Sequence, residues 1–285
     1  MARGLDHVVH AVRDLDAAAA LYRRLGFTVG ARNRHPWGTH NHIVQLPGFF
    51  IELLTVAEPE KLAADGFSAL FGTFNRIFLK DQEGFSLLIL DSHDAGADAA
   101  QFRAANIGVS EALHFEREGA RPDGSTIKVA FSLAFARDAK APAIGFATCR
   151  QHFPENFWNP TFQQHANGAS AVGGIVLVAE NPIDHQNFLS AFTGVSPAKS
   201  SDLTLSTSRG NIRVMDPHTF RDQFGVTPPD VSRGARLAAV QIRQRERAAL
   251  IAALNAGGIA FSNRKGATVV GPDIAMGATL AFEST

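Results

Sequence analysis

The stretch LDHVVHAVRDLDAAAALYRRLGF, residues 5–27, decides how this chain folds. Its first eight residues are strand-like. Strand alternation sends Leu5, His7 and Val9 to one face and Asp6, Val8 and His10 to the other, so the two histidines serve different surroundings. Asp14 is placed to cap a helix whose apolar stripe is Leu15, Ala18, Leu21, Tyr22 and Leu25, and Gly26 is placed to end it. The reading is strand, helix, strand.

The same order is written three more times. FSLLIL (85–90) leads into DAGADAAQFRAANIGV, and LAAVQI (237–242) leads into RERAALIAALNAGGI. GGIVLVAE (173–180) leads into NPIDHQNFLSAFTGV, with Asn181 as the cap and Pro182 in the first helical position. Each helix finishes on a glycine followed by one apolar residue: Gly26-Phe27, Gly108-Val109, Gly194-Val195 and Gly258-Ile259. That pairing predicts a left-handed cap running directly into a new strand. Further strand-like runs follow each helix: NHIVQL and FFIELLTV, IKVAFSLAF and IGFATCR, LTLSTS and NIRVMD, ATVVG and ATLAFE. The expectation is an α+β chain of four βαβββ modules. A single module leaves one apolar face of a curved sheet uncovered, so the modules pair. This predicts two domains, residues 1–160 and 170–285, joined through NFWNPTFQQHANGA. The duller alternative is an ordinary α+β domain in which glycine-terminated helices recur by chance.

The composition suits a globular chain with a sizeable core: 285 residues, 45% hydrophobic and 19% charged. Lys and Arg number 27 and Asp and Glu number 27, so no long-range field is built for nucleic acid or for an acidic membrane surface. Cys149 stands alone, which excludes an intrachain disulfide. The first residues lack the apolar stretch of a signal peptide, and no run approaches the roughly 18 apolar residues of a membrane span. A cytoplasmic protein is expected. No phosphate-cradling glycine motif precedes a helix.

Chemistry concentrates in the first module. In FFIELLTV alternation puts Phe50, Glu52 and Leu54 on one face. Glu52 has apolar neighbours on both sides, and a buried lone carboxylate is costly, so it needs a cation, a metal or a hydrogen-bonding partner. His7 is in the same predicament. If both strands flank one concave sheet, the two side chains face one another as nitrogen and oxygen ligands for a divalent ion. A third ligand is expected from the second module, where ATCRQHF offers Gln151 and His152. His35, Thr39 and Asn41 in the turn-rich RHPWGTHN could close over a ligand, and Phe49, Phe50 and Phe131 could line a cleft.

This pattern resembles the vicinal oxygen chelate superfamily of glyoxalase I, extradiol dioxygenases and bleomycin-resistance proteins, whose paired βαβββ units hold a metal inside a cupped sheet. The likeness is most specific in LDHVVHAVRDLDAAAALYRRLGF followed by IELL. RHPWGTHN and CRQHFPENFWNPTFQQHANGA are similar to its glyoxalase-like branch. The resemblance implies two glyoxalase-like domains with cupped mixed sheets. It implies His7, Glu52 and His152 as ligands of one divalent ion, whether zinc, iron, manganese or nickel, with Glu52 also carrying protons. Substrate-binding roles are expected of His35, Thr39, Asn41, Phe50 and Gln151. The implied function is a metal-dependent lyase, isomerase or dioxygenase acting on a small oxygenated substrate. The alternative is a non-catalytic small-molecule binder of the bleomycin-resistance kind. The first strands of the other modules offer no histidine, so the second pair is expected to be structural and Glu283 to lack the partners of Glu52. A homodimer is the candidate assembly.

Overall fold

The computed structural model describes residues 2–120, 126–197 and 203–285. The first module comprises β1 (Leu5–Ala11), α1 (Leu15–Arg24), β2 (Asn33–Arg34), β3 (Thr39–Leu46) and β4 (Phe49–Val56). An insertion follows, a π-helical turn at Ser68–Thr73 that runs into α2 (Phe74–Asp81). The second module comprises β5 (Gly84–Asp91), α3 (Ala95–Ala104), β6 (Leu113–Ala120), β7 (Thr126–Ala136) and β8 (Gly145–Gln151), and the short α4 (Pro154–Phe157) leaves it. The third comprises β9 (Ala169–Val178), α5 (Gln186–Thr193), β10 (Leu203–Ser206) and β11 (Asn211–Met215), followed by α6 (Pro217–Phe224). The fourth comprises β12 (Arg236–Gln244), α7 (Arg247–Ala256), β13 (Ser262–Arg264), β14 (Ala267–Val270) and β15 (Thr279–Ser284).

The modules pair as the repeat requires. Modules one and two form an eight-stranded sheet in the order β2-β3-β4-β1-β5-β8-β7-β6, and modules three and four a seven-stranded sheet in the order β10-β11-β9-β12-β15-β14-β13. Each sheet is joined at its centre by the antiparallel first strands of its modules, β1 with β5 and β9 with β12. Each first strand also runs parallel to its own module's last strand, which makes both sheets mixed.

The helices explain where the core lies. Asp14 and Asp94 cap α1 and α3 by accepting from the amides of Ala17 and Ala97. These helices, with α5 and α7, bury Leu21, Tyr22, Phe102, Phe192 and Leu254 against the outer faces of both sheets in one continuous apolar cluster. Replacing Asp14 with Ala is expected to cost about 1 kcal/mol of stability, the usual worth of an N-cap, readable as a lower urea midpoint at unchanged slope.

Two sequence expectations are corrected here. The helix glycines do not feed directly into strands: after Gly26, Gly108 and Gly258 the next strands begin only at Asn33, Leu113 and Ser262. Phe27 is drawn out of strand geometry because its ring packs into the core between Tyr22 and Phe282. Nor is the left-handed residue always the glycine, since after α3 it is Asn106 (φ 56°). The stretch joining the sheets is also well packed. His165 Nε2 donates to the carbonyl of Gln45 at 2.7 Å, and the fully buried Asn167 bonds the carbonyl of Leu25.

The inner faces of the two sheets differ. That of the second is filled, because α6 lays Phe220 and Phe224 over Val176, Met215, Val269 and Ala281. There Glu283 does have a partner, accepting from Gln241 Nε2 at 2.5 Å. The inner face of the first sheet is left partly open. No described helix is long and apolar enough to cross a membrane.

Candidate active site

The open inner face is built around an irregularity in β1. Pairing with β5 shifts register between Leu5 and His7, so Asp6 is the extra residue of a bulge. Strict alternation would put Asp6 on the helix side. The bulge instead sets it beside His7, whose Nδ1–H donates to Asp6 Oδ2 at 2.6 Å. Gln151 Nε2, from the end of β8, donates to Asp6 Oδ1 at 3.0 Å. Both Asp6 and His7 are buried, and the imidazole stacks on Phe50 with centroids 4.1 Å apart. A carboxylate accepts only, so Nδ1 carries a proton, and in the neutral ring Nε2 keeps the lone pair.

Glu52, two residues along β4 from Phe50, shares this face and is 5% exposed. Asn41 Nδ2 on β3 donates to Glu52 Oε1 at 2.6 Å, and Asn33 Nδ2 on β2 donates to Asn41 Oδ1 at 3.0 Å. The line continues to the opposite edge of the sheet, where Arg117 on β6 donates to Asn33 Oδ1 at 3.2 Å. The outermost strands β2 and β6 therefore meet through their side chains, and the sheet is curled into a cup with a seam. Burial pushes the Glu52 carboxyl up, opposed by the charge of His7 and the Asn41 bond.

Above this floor lies a cavity of about 90 Å³, partly open to solvent. Its walls are aromatic: Trp37 stacks on His35 at 4.6 Å and on Phe67 at 5.0 Å, and Phe115 lies edge-on to Trp37 at 5.0 Å. Phe71, Phe131 and Phe157 also line it, and the Trp37 indole N–H is buried without a partner among the described residues. His35 accepts from Asn41 through Nε2 and donates to Thr39 Oγ1 through Nδ1. Burial, then the charges of Arg117 and His40, hold its pKa down at about 3, so the ring is neutral. Cys149 also lines the cavity, but burial and the nearby Asp6 and Glu52 carboxylates push its thiol well up, away from nucleophilic use.

Residues 5–193 match the glyoxalase-like domain family, more than half of the chain. The chain belongs to this family. It is thereby a member of the vicinal oxygen chelate superfamily. Solved structures agree on the fold. A hypothetical protein from Staphylococcus aureus superposes with a TM-score of 0.70 at 14% identity, covering 99% of this chain and 100% of its own. A mutant of 4-hydroxymandelate synthase from Streptomyces coelicolor gives 0.59 at 12% identity, covering 93% of this chain and 78% of its own. A fusion of a xylose isomerase-like TIM barrel with a 4-hydroxyphenylpyruvate dioxygenase gives 0.58 at 10% identity, and this chain spans 49% of its length. No curated protein matches.

Membership of this superfamily suggests a divalent ion. The donors in the cup do not fit one held by the protein: among the described residues no three His, Cys, Asp or Glu side chains converge as a metal site. His7 and Glu52 both line the cavity, but His152 does not join them. Alternation along β8 points Cys149 and Gln151 inward and sends His152 to the outer face, where its Nε2 meets Ser132 Oγ at 2.8 Å and its ring lies edge-on to His114. Gln151 supports Asp6 from behind. Of the remaining expected residues, His35, Asn41 and Phe50 line the cavity, while Thr39 is buried beneath His35. His10 lies on the helix side as alternation requires, bonded to the hydroxyl of Tyr22.

Sequence reasoning missed Asp6, Asn33, Trp37, Phe67, Phe71 and Arg117. The bulge carries no sequence signature that a single strand would show. Phe67 and Phe71 belong to the insertion, whose phenylalanines at 67, 71, 74 and 78 recur at helical spacing and could have flagged a helix.

Proposed function

We propose that this glyoxalase-like chain is a proton-transfer enzyme of the isomerase or lyase type, acting on a small oxygenated substrate that carries an enolisable C–H bond. The observation that supports this reading is the buried Asp6–His7 pair facing a cavity whose other ionisable floor residue is Glu52. Asp6 holds the imidazole in the tautomer with Nε2 free and balances the charge formed when that atom takes a proton. Burial favours the neutral carboxylic acid at Glu52, which can donate a hydrogen bond or a proton to a substrate oxygen. A buried Asp–His pair and a carboxyl favoured in its neutral form over one cavity suit removal of a proton at carbon with delivery of another at oxygen. The aromatic walls lower the local dielectric around His7 and Glu52, which strengthens both interactions. No step here passes through a metal.

The test is hydrogen exchange at carbon. Small ketones, phenylacetone among them, are incubated with the protein in D2O, and loss of the α-proton signal is followed by NMR. Exchange above background that survives EDTA and disappears in His7→Gln is the expected result. Exchange that stops on chelation would restore a metal-dependent reading with His7 and Glu52 as ligands. Without any exchange the non-catalytic binding reading stands, which the aromatic lining of the cavity favours.

A further inference from the structure

Among the described residues Arg117 is the one arginine or lysine in the wall of the cavity. Its guanidinium is partly buried, and that burial lowers its pKa, a sign that the charge is incompletely solvated. Among the described residues its hydrogen bond is a single one, at 3.2 Å to the neutral amide oxygen of Asn33. No carboxylate among the described residues pairs with it. The acidic residues on its own strand do not help, because Glu116 and Glu118 alternate to the exposed face, where Glu116 is held by Lys128 and His114. Other arginines of this chain are treated differently. Arg3, more deeply withdrawn from solvent, is answered by Asp98, Gln101 and the carbonyl of Phe192. Arg103 pairs with Glu111.

A guanidinium carries five donors in a planar fork that fits a carboxylate with two parallel bonds. Most of that fork is unused here. It sits at the seam where β2 and β6 meet, beside Phe115 and at the edge of the stacked His35, Trp37 and Phe67 rings. About 90 Å³ is less than the roughly 150 Å³ known to enclose a benzene molecule, so a ring-sized ligand must keep part of itself at the open side. The seam is the place where such a part meets Arg117.

We infer that Arg117 is the anion anchor of this cavity, and that its ligand is a small aromatic carboxylate whose ring enters between the aromatic walls while its carboxylate is held at the seam. This deepens the proton-transfer reading by naming a substrate class, and it rests on that reading only for the identity of the cavity. The anchor leaves the inner end of the ligand facing His7 and Glu52.

The test compares benzoate with its neutral isostere benzamide on the full-length chain, reading binding from the fluorescence of Trp37 and Trp158. Benzoate is expected to bind at least about tenfold more tightly than benzamide, the worth of a charge-assisted pair. Arg117→Met, which keeps the aliphatic stem, is expected to bring benzoate down to the benzamide level, and Arg117→Lys to recover part of the difference. Equal affinities in the unmodified protein, or benzoate binding untouched by Arg117→Met with a native circular dichroism spectrum, would overturn the assignment. The comparison of the two ligands stands even if the variant fails to fold. Benzoate has no enolisable hydrogen, so this readout is blind to proton transfer: absent exchange with Arg117-dependent binding removes the catalytic reading and leaves the anion site.

Discussion

Asp6→Asn is expected to slow α-proton exchange by about 10³- to 10⁴-fold while leaving the fold and the cavity in place, the loss seen when the carboxylate behind a catalytic imidazole is neutralised. The change is isosteric, and Asp6 contacts the ligand space only through His7. In the native chain Asp6 accepts from His7 Nδ1 at 2.6 Å and from Gln151 Nε2 at 3.0 Å. An amide at position 6 can satisfy these two donors in only two ways. Its oxygen can face His7, which preserves the tautomer but removes the negative charge that stabilises the imidazolium. Alternatively its oxygen can face Gln151, so that its NH2 forces Nδ1 to accept and puts the proton on Nε2, where the base should be. Either arrangement weakens the base. The Gln151 side-chain oxygen is buried without a partner, so this residue can turn its amide to suit the first arrangement. Gln151→Ala alone should therefore cost far less than Asp6→Asn. NMR exchange rates of the variants measure this, and an Asp6→Asn protein exchanging at the native rate would remove the Asp–His pair from the mechanism.

The second large effect is on stability in acid. His10 is 0% exposed, accepts from the Tyr22 hydroxyl at 2.9 Å and donates from Nε2 to the carbonyl of Met276 at 3.0 Å. Burial holds its pKa at about 4, against partial opposition from the Met276 bond and Glu83. In the unfolded chain the same ring titrates near 6.5. Between these values the unfolded state binds the extra proton and the folded state does not, so stability is full above about pH 6.5 and falls as the pH drops towards 4. The loss from this one residue is on the order of 3 kcal/mol. His35, held at about 3, acts in the same direction and extends the decline. Glu52 has the opposite sign: its folded pKa is raised, so its contribution is present in acid and is lost as the pH rises. Urea midpoints from pH 7.5 to 4 should fall steeply for the native chain. His10→Gln should start lower, having lost well-made bonds, and fall less steeply. A parallel slope in the two proteins would mean that His10 titrates normally in the fold.

Much of this architecture was legible in local patterns. The sequence of strand, capped helix and glycine is set by interactions within about 25 residues, so its recurrence named four modules, and uncovered apolar faces required them to pair. Alternation placed His7 with Phe50 and Glu52 and turned His10 to the helix side, because side-chain direction in a strand is a property of the backbone alone. The same rule applied to ATCRQHF separates Gln151 from His152, and the outward turn of His152 follows from it. What only the tertiary structure decided depends on partners distant in the chain. The bulge that brings Asp6 beside His7 exists because β1 must match β5, about 80 residues on. The seam between Asn33 and Arg117 arises from curling of a whole sheet, which brings its first and last strands together. The aromatic wall at Phe67 and Phe71 comes from an insertion whose direction of packing no periodicity specifies. Local chemistry thus fixed which residues share a face, while long-range closure of the cup set Asp6 beside His7 and brought Arg117 to the seam with Asn33.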